Sequence, residues 1–488
     1  MVEQRFFLGD TWGFPGSPVE HIETHAAHVF LCRDRAFKIK KNVKLPYLDF
    51  STVEKRRSIL KFELAINQTF APDIYLNVAE KCGEPVLVMR RFATESILAN
   101  LVIHGGLDEQ LSAVLAATIA DSHKHAVVAN ISGADIMTGL KEQLSKAFQD
   151  SPDLFSNSAS QEFQALYGER LERLTPLLNA RGAKGLVRRC HGDMHCGNIV
   201  VINDKPVLFD AIEFSEKIAT IDVLYDLAFL LMDLMKFDQT RAANVVLNFY
   251  LNQRRAEEDL TGLATLPLFL ATRAGVRALV TADLVHELQA TKANKERDQT
   301  QEYFGDCINF LKPKKPKLIC VGGGSGTGKT TLARSLAPII GPLPGAIHVR
   351  SDVERKILAG VSETQRLSAE YYSKANSMKV YEATFARARY ALSAGQSVVI
   401  DAVFGRESER LIAQALATEL GLEFQGFWLE GTAEILKKRV AARINDASDA
   451  TPAVVESQTK QQLGEISWTK IDASGRAEQV EANVKKLI

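Results

Sequence analysis

Apolar and polar positions alternate over 28–32 (HVFLC) and 35–40 (RAFKIK) around Arg33-Asp34, a period of two that predicts two antiparallel strands and a tight turn. After residue 50 the period lengthens. Ser51 and Glu54 have capping-box spacing, and Ile59, Phe62, Ile66 and Phe70 then recur at helical intervals until Ala71-Pro72 stops the run. VLVMRRF (86–92) predicts another strand, whereas LSAVLAATIADSHKHA (111–126) and TIDVLYDLAFLLMDLM (220–235) predict long helices. NIVVI (198–202) and KPVLFD (205–210) read as two short strands. LKPKKPK (311–317) suits neither a helix nor a central strand, and KLICVGGG beyond it starts a new strand followed by alternating helix and strand segments. The predicted organisation is a strand-rich lobe (1–92), a helical lobe (93–311), a linker (312–317) and a second domain (318–488).

At 488 residues the chain exceeds what one core usually organises, in keeping with that division. The 59 basic residues are matched by 59 acidic ones, so no global field gathers nucleic acid or anionic membrane, and neither is expected as a partner. Six cysteines without a CxxC argue against a disulfide framework or a zinc ribbon and suit a reducing, cytoplasmic compartment. MVEQRFFLGDTWGFPGS lacks the plan of a secretory signal, and VLYDLAFLLMDLM is too short to span a bilayer and carries Asp226 and Asp233.

GGSGTGKT (323–330) fits G-x-x-x-x-G-K-[ST], between the apolar strand LICV and the helix TTLARSLAPII. In such a loop the backbone amides of Gly323, Gly324, Ser325, Gly326, Thr327 and Gly328 curl round a phosphate, the helix start at Thr331 adds its dipole, Lys329 reaches terminal phosphates and Thr330 offers a hydroxyl to Mg²⁺. QSVVIDAVF (396–404) ends a buried strand at Asp401, a candidate for the Mg²⁺ shell; Ala402 stands where a hydrolytic motor would place an acid. IHVRSDVERK (347–356) delivers Asp352, able to accept a hydroxyl proton, and Arg355. Arg439 and Arg443, four apart on a helix, are spaced as a phosphate-clamping lid or as a solvated basic face.

CHGDMHCGNIVV (190–201) poses a choice. His191, His195 and Cys196 would suit zinc only if Gly192 and Gly197 did not break the helix and a complementary ligand pair stood nearby. A phosphate-transfer reading uses more of the residues: Asp193 to orient and deprotonate an alcohol, Asn198 five positions on for Mg²⁺, and the strand-end Asp210 for the same metal. His21, His25 and His28 lack partners in a metal motif.

On HGDMHCGN with LFDAIEF after it, the front half resembles the aminoglycoside phosphotransferase-like group of kinase-fold enzymes. On GGSGTGKT and the order of its acids, the back half resembles small P-loop kinases such as gluconate kinases and zeta-toxin-like proteins. The join is similar to a bacterial family of bifunctional aminoglycoside phosphotransferase-like, P-loop ATP-binding proteins. The resemblance implies an α+β bilobal protein-kinase-like domain followed by an α/β P-loop NTPase domain with a mainly parallel sheet. It implies ATP and Mg²⁺ as cofactors and a small-molecule hydroxyl acceptor, sugar or aminoglycoside-like. It also implies that Lys38 holds phosphates and Glu63 pairs with it, that 86–92 forms the adenine hinge, and that His123 packs beneath the catalytic loop. Lys40 shares the face of Lys38 and rivals it. Glu213 is placed either to join the metal shell or to lie on the surface. No G-x-G-x-x-G precedes Lys38, although GDTWGFPG (9–16) is glycine-containing. Arg273 and Arg277 are expected to pair with acids such as Asp222 and Asp226. Either both halves are kinases, or one is catalytic and the other senses nucleotide; a scaffold would have no use for the full constellation.

Overall fold

The computed structural model describes residues 4–24, 26–45, 48–287, 294–442 and 447–488. His25 and Arg443 lie outside the described residues. Two compact units emerge, Met1–Gln143 with Thr175–Ala242, and Leu144–Leu174 with Ala243–Ile488.

The first unit opens with an antiparallel sheet of β1 (Glu20–Glu23), β2 (Ala27–Cys32), β3 (Arg35–Lys40), β4 (Tyr75–Lys81) and β5 (Glu84–Arg90), in the order β1-β2-β3-β5-β4. Val29 pairs with Lys38 and Phe30 with Phe37, so alternation along β3 puts Phe37 on one face and Lys38 and Lys40 on the other. The apolar face is sealed by Phe6, Trp12, Phe30 and Phe37. Trp12 stacks on Phe37 with ring centroids 4.3 Å apart and donates its indole N–H to Phe6 O at 2.9 Å. The glycine-containing segment 9–16 is thus a plug for the sheet's core.

Helix α1 (Val53–Phe70) lies between β3 and β4 in sequence. Its cap differs from the expected Ser51–Glu54 box. Ser51 is turned to the Asp49 carboxylate, and Thr52 accepts the Lys55 N–H one residue later. The inward stripe also differs: Arg56, Leu60, Glu63 and Asn67 are buried while Phe62 is exposed. The stripe is polar because its partners are: Glu63 meets the β3 lysines, Arg56 meets Glu84 and Asn67 meets the backbone of Ala211, none of which apolar periodicity can detect.

The rest of this unit contains α2 (Glu109–His125), β6 (Val187–Arg189), the hairpin of β7 (Ile199–Ile202) and β8 (Lys205–Leu208), β9 (Thr220–Asp222) and α3 (Val223–Lys236). The segment 220–222, expected to be helical, pairs antiparallel with β6. Asp222 ends it by capping α3 through Leu224 N–H while forming a two-bond pair with Arg181. Helix α3 is buried from Val223 to Leu234.

The second unit holds α4 (Thr240–Arg254) from Ala243 onward, α5 (Leu266–Glu287), α6 (Asn294–Leu311) and a five-stranded parallel sheet. In chain order its elements are β10 (Lys317–Gly323), α7 (Lys329–Leu336), β11 (Ile347–Arg350), α8 (Ser351–Leu358), α9 (Lys374–Ser393), β12 (Val398–Asp401), α10 (Glu407–Glu419), β13 (Glu423–Glu430), α11 (Ala433–Ala441), α12 (Pro452–Thr459) and β14 (Thr469–Asp472). The sheet order is β11-β12-β10-β13-β14, every pair parallel. The order in which strands are added reverses between β10 and β12, which opens a crevice at their carboxyl ends.

The β11 edge is covered by side chains of α4. Asn244 donates to Ala346 O at 3.0 Å, and Asn248 accepts His348 N–H at 2.7 Å. These amides, four residues apart, satisfy backbone groups that an open edge would leave unpaired. Residues 257–286 are long and apolar enough to cross a membrane by length and composition, a longer run than VLYDLAFLLMDLM, and 67% of their most apolar 18-residue stretch is buried in the fold. Arg277 lies over the Tyr303 ring at 5.7 Å, while Asp222, one of its expected partners, is held by Arg181.

Candidate active sites

The loop 191–198 is bent by Gly192, which adopts φ 87° and would place a Cβ 3.3 Å from Ala219 Cα. Two carboxylates of α3 anchor it. Asp226 accepts Gly192 N–H at 2.9 Å and His191 N–H at 3.3 Å and lies 3.2 Å from His123 Nε2; Asp233 accepts Cys196 N–H at 2.8 Å. His123 therefore packs under the loop. Both acids were visible in the sequence as charges in an otherwise apolar helix. Such charges inside a core signal buried acceptors.

The loop is zipped to the end of β8: Phe209 N–H bonds Asn198 O, and Ile212 N–H bonds His191 O, each at 3.0 Å. His191 Nε2 lies 2.9 Å from Phe209 O, and burial lowers the imidazole's affinity for a second proton, so its neutral form donates there. Asp193, Asn198 and Asp210 are gathered by these contacts. Asn198 Nδ2 donates to Asp193 Oδ2 at 2.9 Å and to Asp193 O at 3.0 Å, which leaves the side-chain oxygen as the end for a cation. Asp210 is half-exposed, sits at φ 59°, and has its N–H bonded to Tyr75 Oη at 3.0 Å. Asn67 accepts Ala211 N–H at 2.8 Å. Neither Tyr75 nor Asn67 was singled out from sequence, since nothing local marks a hydroxyl or amide that props a loop more than 130 residues away.

Lys38 Nζ donates to Glu63 Oε1 at 2.6 Å and to Asp210 Oδ1 at 3.0 Å. Burial alone would push the Glu63 carboxyl up; Lys38 and Lys40 overcome it and bring it down to about 2. Burial works against the Lys38 charge too, and Asp210 and Glu63 reverse the effect, so Lys38 stays protonated. Glu213 is buried against Lys40 at 2.7 Å, so it is not a surface acid. Among the described residues His191, His195 and Cys196 do not converge as metal ligands; the acid–sulfur–imidazole group that does is His123, Cys190 and Asp226, wholly buried. His21 and His28 are in contact at 3.1 Å.

In the second unit the loop from Gly323 to Gly328 follows β10 and starts α7. Gly323 (φ 138°) would bring a Cβ within 2.5 Å of Leu429 O, and Gly326 (φ 88°) within 2.7 Å of Leu436 O, so both positions exclude a side chain. This makes a cradle of main-chain amides. Ser325 N–H bonds Gln458 Oε1 of α12 at 2.7 Å, and Thr327 and Lys329 bond Gly324 O at 2.8 and 3.0 Å. Thr330 Oγ1 donates to Asp401 Oδ2, bringing together the hydroxyl and carboxylate expected to serve one cation. His348 Nε2 of β11 stands 3.7 Å from Asp401 and Arg350 Nε 3.9 Å. Burial raises the Asp401 carboxyl, but the facing His348 ring, Lys329 and Arg350 lower it to about 2.

Asp352 shares a cavity of about 550 Å³ with Lys329, Thr330, Arg355 and Asp401. Burial, and then the Asp401 charge, raise its carboxyl above the ordinary aspartate value. Arg355 is fixed by Tyr371 O at 2.7 Å and lies 4.6 Å over the Tyr372 ring. Lys356 and Tyr372 each bond Asp449 at 2.6 Å across the cavity rim. Phe404 takes φ 52°, rare for a bulky residue, and is held there by Tyr381 Oη on its N–H. Arg439 and Thr331 line a separate cavity of about 200 Å³, where the guanidinium donates to Ala473 O and Gly475 O, each at 2.7 Å.

Residues 60–263 match the family model of the phosphotransferase enzyme family, and residues 318–464 match that of an AAA domain. An uncharacterized protein of Mycobacterium tuberculosis (strain H37Rv) is 28% identical over 470 residues, spanning 93% of this chain and 92% of the relative. A Mycobacterium bovis protein matches to the same extent. Among solved structures, an aminoglycoside 2'-phosphotransferase-IIIa is similar over 60% of this chain and 92% of its own, with 14% identity and a TM-score of 0.39. A gluconokinase from Sinorhizobium meliloti is similar over 35% and 93%, with 18% identity and a TM-score of 0.26.

Proposed function

From a chain that joins a phosphotransferase-family domain to a P-loop domain of AAA type, we propose an ATP- and Mg²⁺-dependent enzyme that moves a γ-phosphate to a hydroxyl of a small molecule, sugar or aminoglycoside-like. The roles are divided along the sequence, 1–311 and 318–488 each carrying a nucleotide site, with 312–317 between them.

The observation that carries the front half is the gathering of Asp193, Asn198 and Asp210 beside the Lys38–Glu63 pair. Asp193 orients the acceptor hydroxyl and takes its proton. Asn198 and Asp210 offer oxygen ligands only, the donor set Mg²⁺ prefers. Lys38, turned by Glu63, neutralises phosphate charge. Bound Mg²⁺ would spread the charge that builds on the transferred group.

In the back half the crowded glycine cradle supports phosphate binding, and Thr330 with Asp401 supplies the oxygens for a second Mg²⁺. Asp352, its carboxyl raised by burial and by the Asp401 charge, faces the cavity with Arg355 as the proton acceptor. Arg439 stands beside Thr331 in the smaller cavity, its guanidinium held by Ala473 O and Gly475 O. A second reading makes this half a nucleotide sensor. It is favoured by Gln458, which occupies the Ser325 amide and would have to yield when phosphate arrives.

An acceptor screen with labelled ATP on wild type, Asp193→Ala and Lys329→Ala separates the halves. Each substitution is expected to abolish transfer to its own acceptor. Equal labelling by all three proteins would reject both assignments; loss in Asp193→Ala alone, with altered rate in Lys329→Ala, would favour the sensor.

A further inference from the structure

Glu63 is approached by two lysines from one strand. Lys38 Nζ donates to Oε1 at 2.6 Å and also reaches Asp210. Lys40 Nζ is shared: it stands 2.7 Å from Glu63 Oε2 and donates to Glu213 Oε1, also at 2.7 Å. Lys40 further lies over the Phe50 ring at 5.4 Å. The side chains of Lys40, Glu63 and Glu213 are 4%, 0% and 8% exposed, against 14% for Lys38. The order Asp210–Lys38–Glu63–Lys40–Glu213 alternates in sign, and Glu213 follows Asp210 by three residues, so two carboxylates of one short segment clasp two lysines of one strand.

We propose that Glu213 is a positioning residue: by holding Lys40, it reserves Glu63 for Lys38 and so makes Lys38 the lysine that meets the nucleotide phosphates. This rests on reading the front half as a nucleotide-binding phosphotransferase. In a buried site, an ammonium deprived of its carboxylate draws on the next one. Without Glu213 that neighbour is Glu63. Lys38, which already reaches Asp210 at 3.0 Å, would then lean on it more heavily, and the carboxylate needed for a cation would be held more tightly by an internal ammonium. Lys40 itself is shut from the cleft.

The test uses the full chain carrying Lys329→Ala, so that the front half dominates nucleotide binding, and reads Mg·ATP affinity by calorimetry beside kcat and KM. Glu213→Gln should weaken Mg·ATP about tenfold, in the range seen when groups supporting a ligand shell are removed. Adding Lys40→Met should return affinity to within about threefold of the parent, because the surplus charge is gone. Lys38→Met should abolish the gain from Mg·ATP in either background. Parental affinity in Glu213→Gln would overturn the proposal. So would a double variant no better than Glu213→Gln, which would put Glu213 directly on cation or nucleotide. Loss of binding in Lys40→Met alone would hand the phosphate role to Lys40. Asp193→Asn separates this from the catalytic reading: it should keep Mg·ATP affinity and lose transfer, and if it transfers normally the base assignment falls while the affinity series still judges Glu213.

Discussion

Asp226 accepts the backbone N–H of Gly192 at 2.9 Å across 34 residues of sequence. The contact turns an acid buried in an apolar helix into the fixed point of a loop that is otherwise free to bend at glycine. Removing it strips two amides and the His123 contact from one carboxylate. Asp226→Ala is expected to cost about 3 kcal/mol in chemical denaturation, since bonds to a charged acceptor are each worth about 1.5–3 kcal/mol. Front-half transfer should fall further than stability alone explains. Asp193→Asn should show the reverse, with an unchanged denaturation midpoint and a rate about 100-fold lower or less, the scale of a lost general base.

The raised Asp352 carboxyl predicts the pH dependence of the back half. A base must be ionised, so the rate should fall as pH drops through a value above the ordinary aspartate range. Asp352→Asn should remove both the rate and that acid limb. A limb at the ordinary aspartate value in the wild-type kcat profile would contradict the placement of Asp352 as a buried base.

Asn248 offers a test of how the edge of the parallel sheet is kept. It accepts His348 N–H at 2.7 Å, and β11 carries His348 and Arg350 toward Asp401. Asn248→Ala leaves a buried N–H unmet, at a cost of about 1–3 kcal/mol. Asn248→Asp keeps the acceptor and should recover part of this. Equal midpoints for Asn248→Ala and wild type would show that another group covers the strand.

Much of this was legible in the residues. Strands β2 and β3 and the glycine cradle follow from local pattern, because a two-residue period and a phosphate loop are written contiguously. Asp193, Asn198 and Asp210 were legible for the same reason, as two short motifs on neighbouring strands. What was hidden is contact at a distance. The burial of Glu63 over Phe62 depends on lysines of another element, and Glu213 looks like a surface acid until Lys40 is seen beside it. Thr52 displaced Ser51 as a cap only because Asp49 claimed the Ser51 hydroxyl.

The central claim is that one chain holds two independent sites for a nucleotide's phosphates, one built on acids and one on main-chain amides. Counting Mg·ATP bound per chain by calorimetry tests it most directly. The account predicts two in wild type, one in Asp210→Asn, one in Lys329→Ala and none in the double variant. A single site in wild type, or one that survives both substitutions, would contradict it.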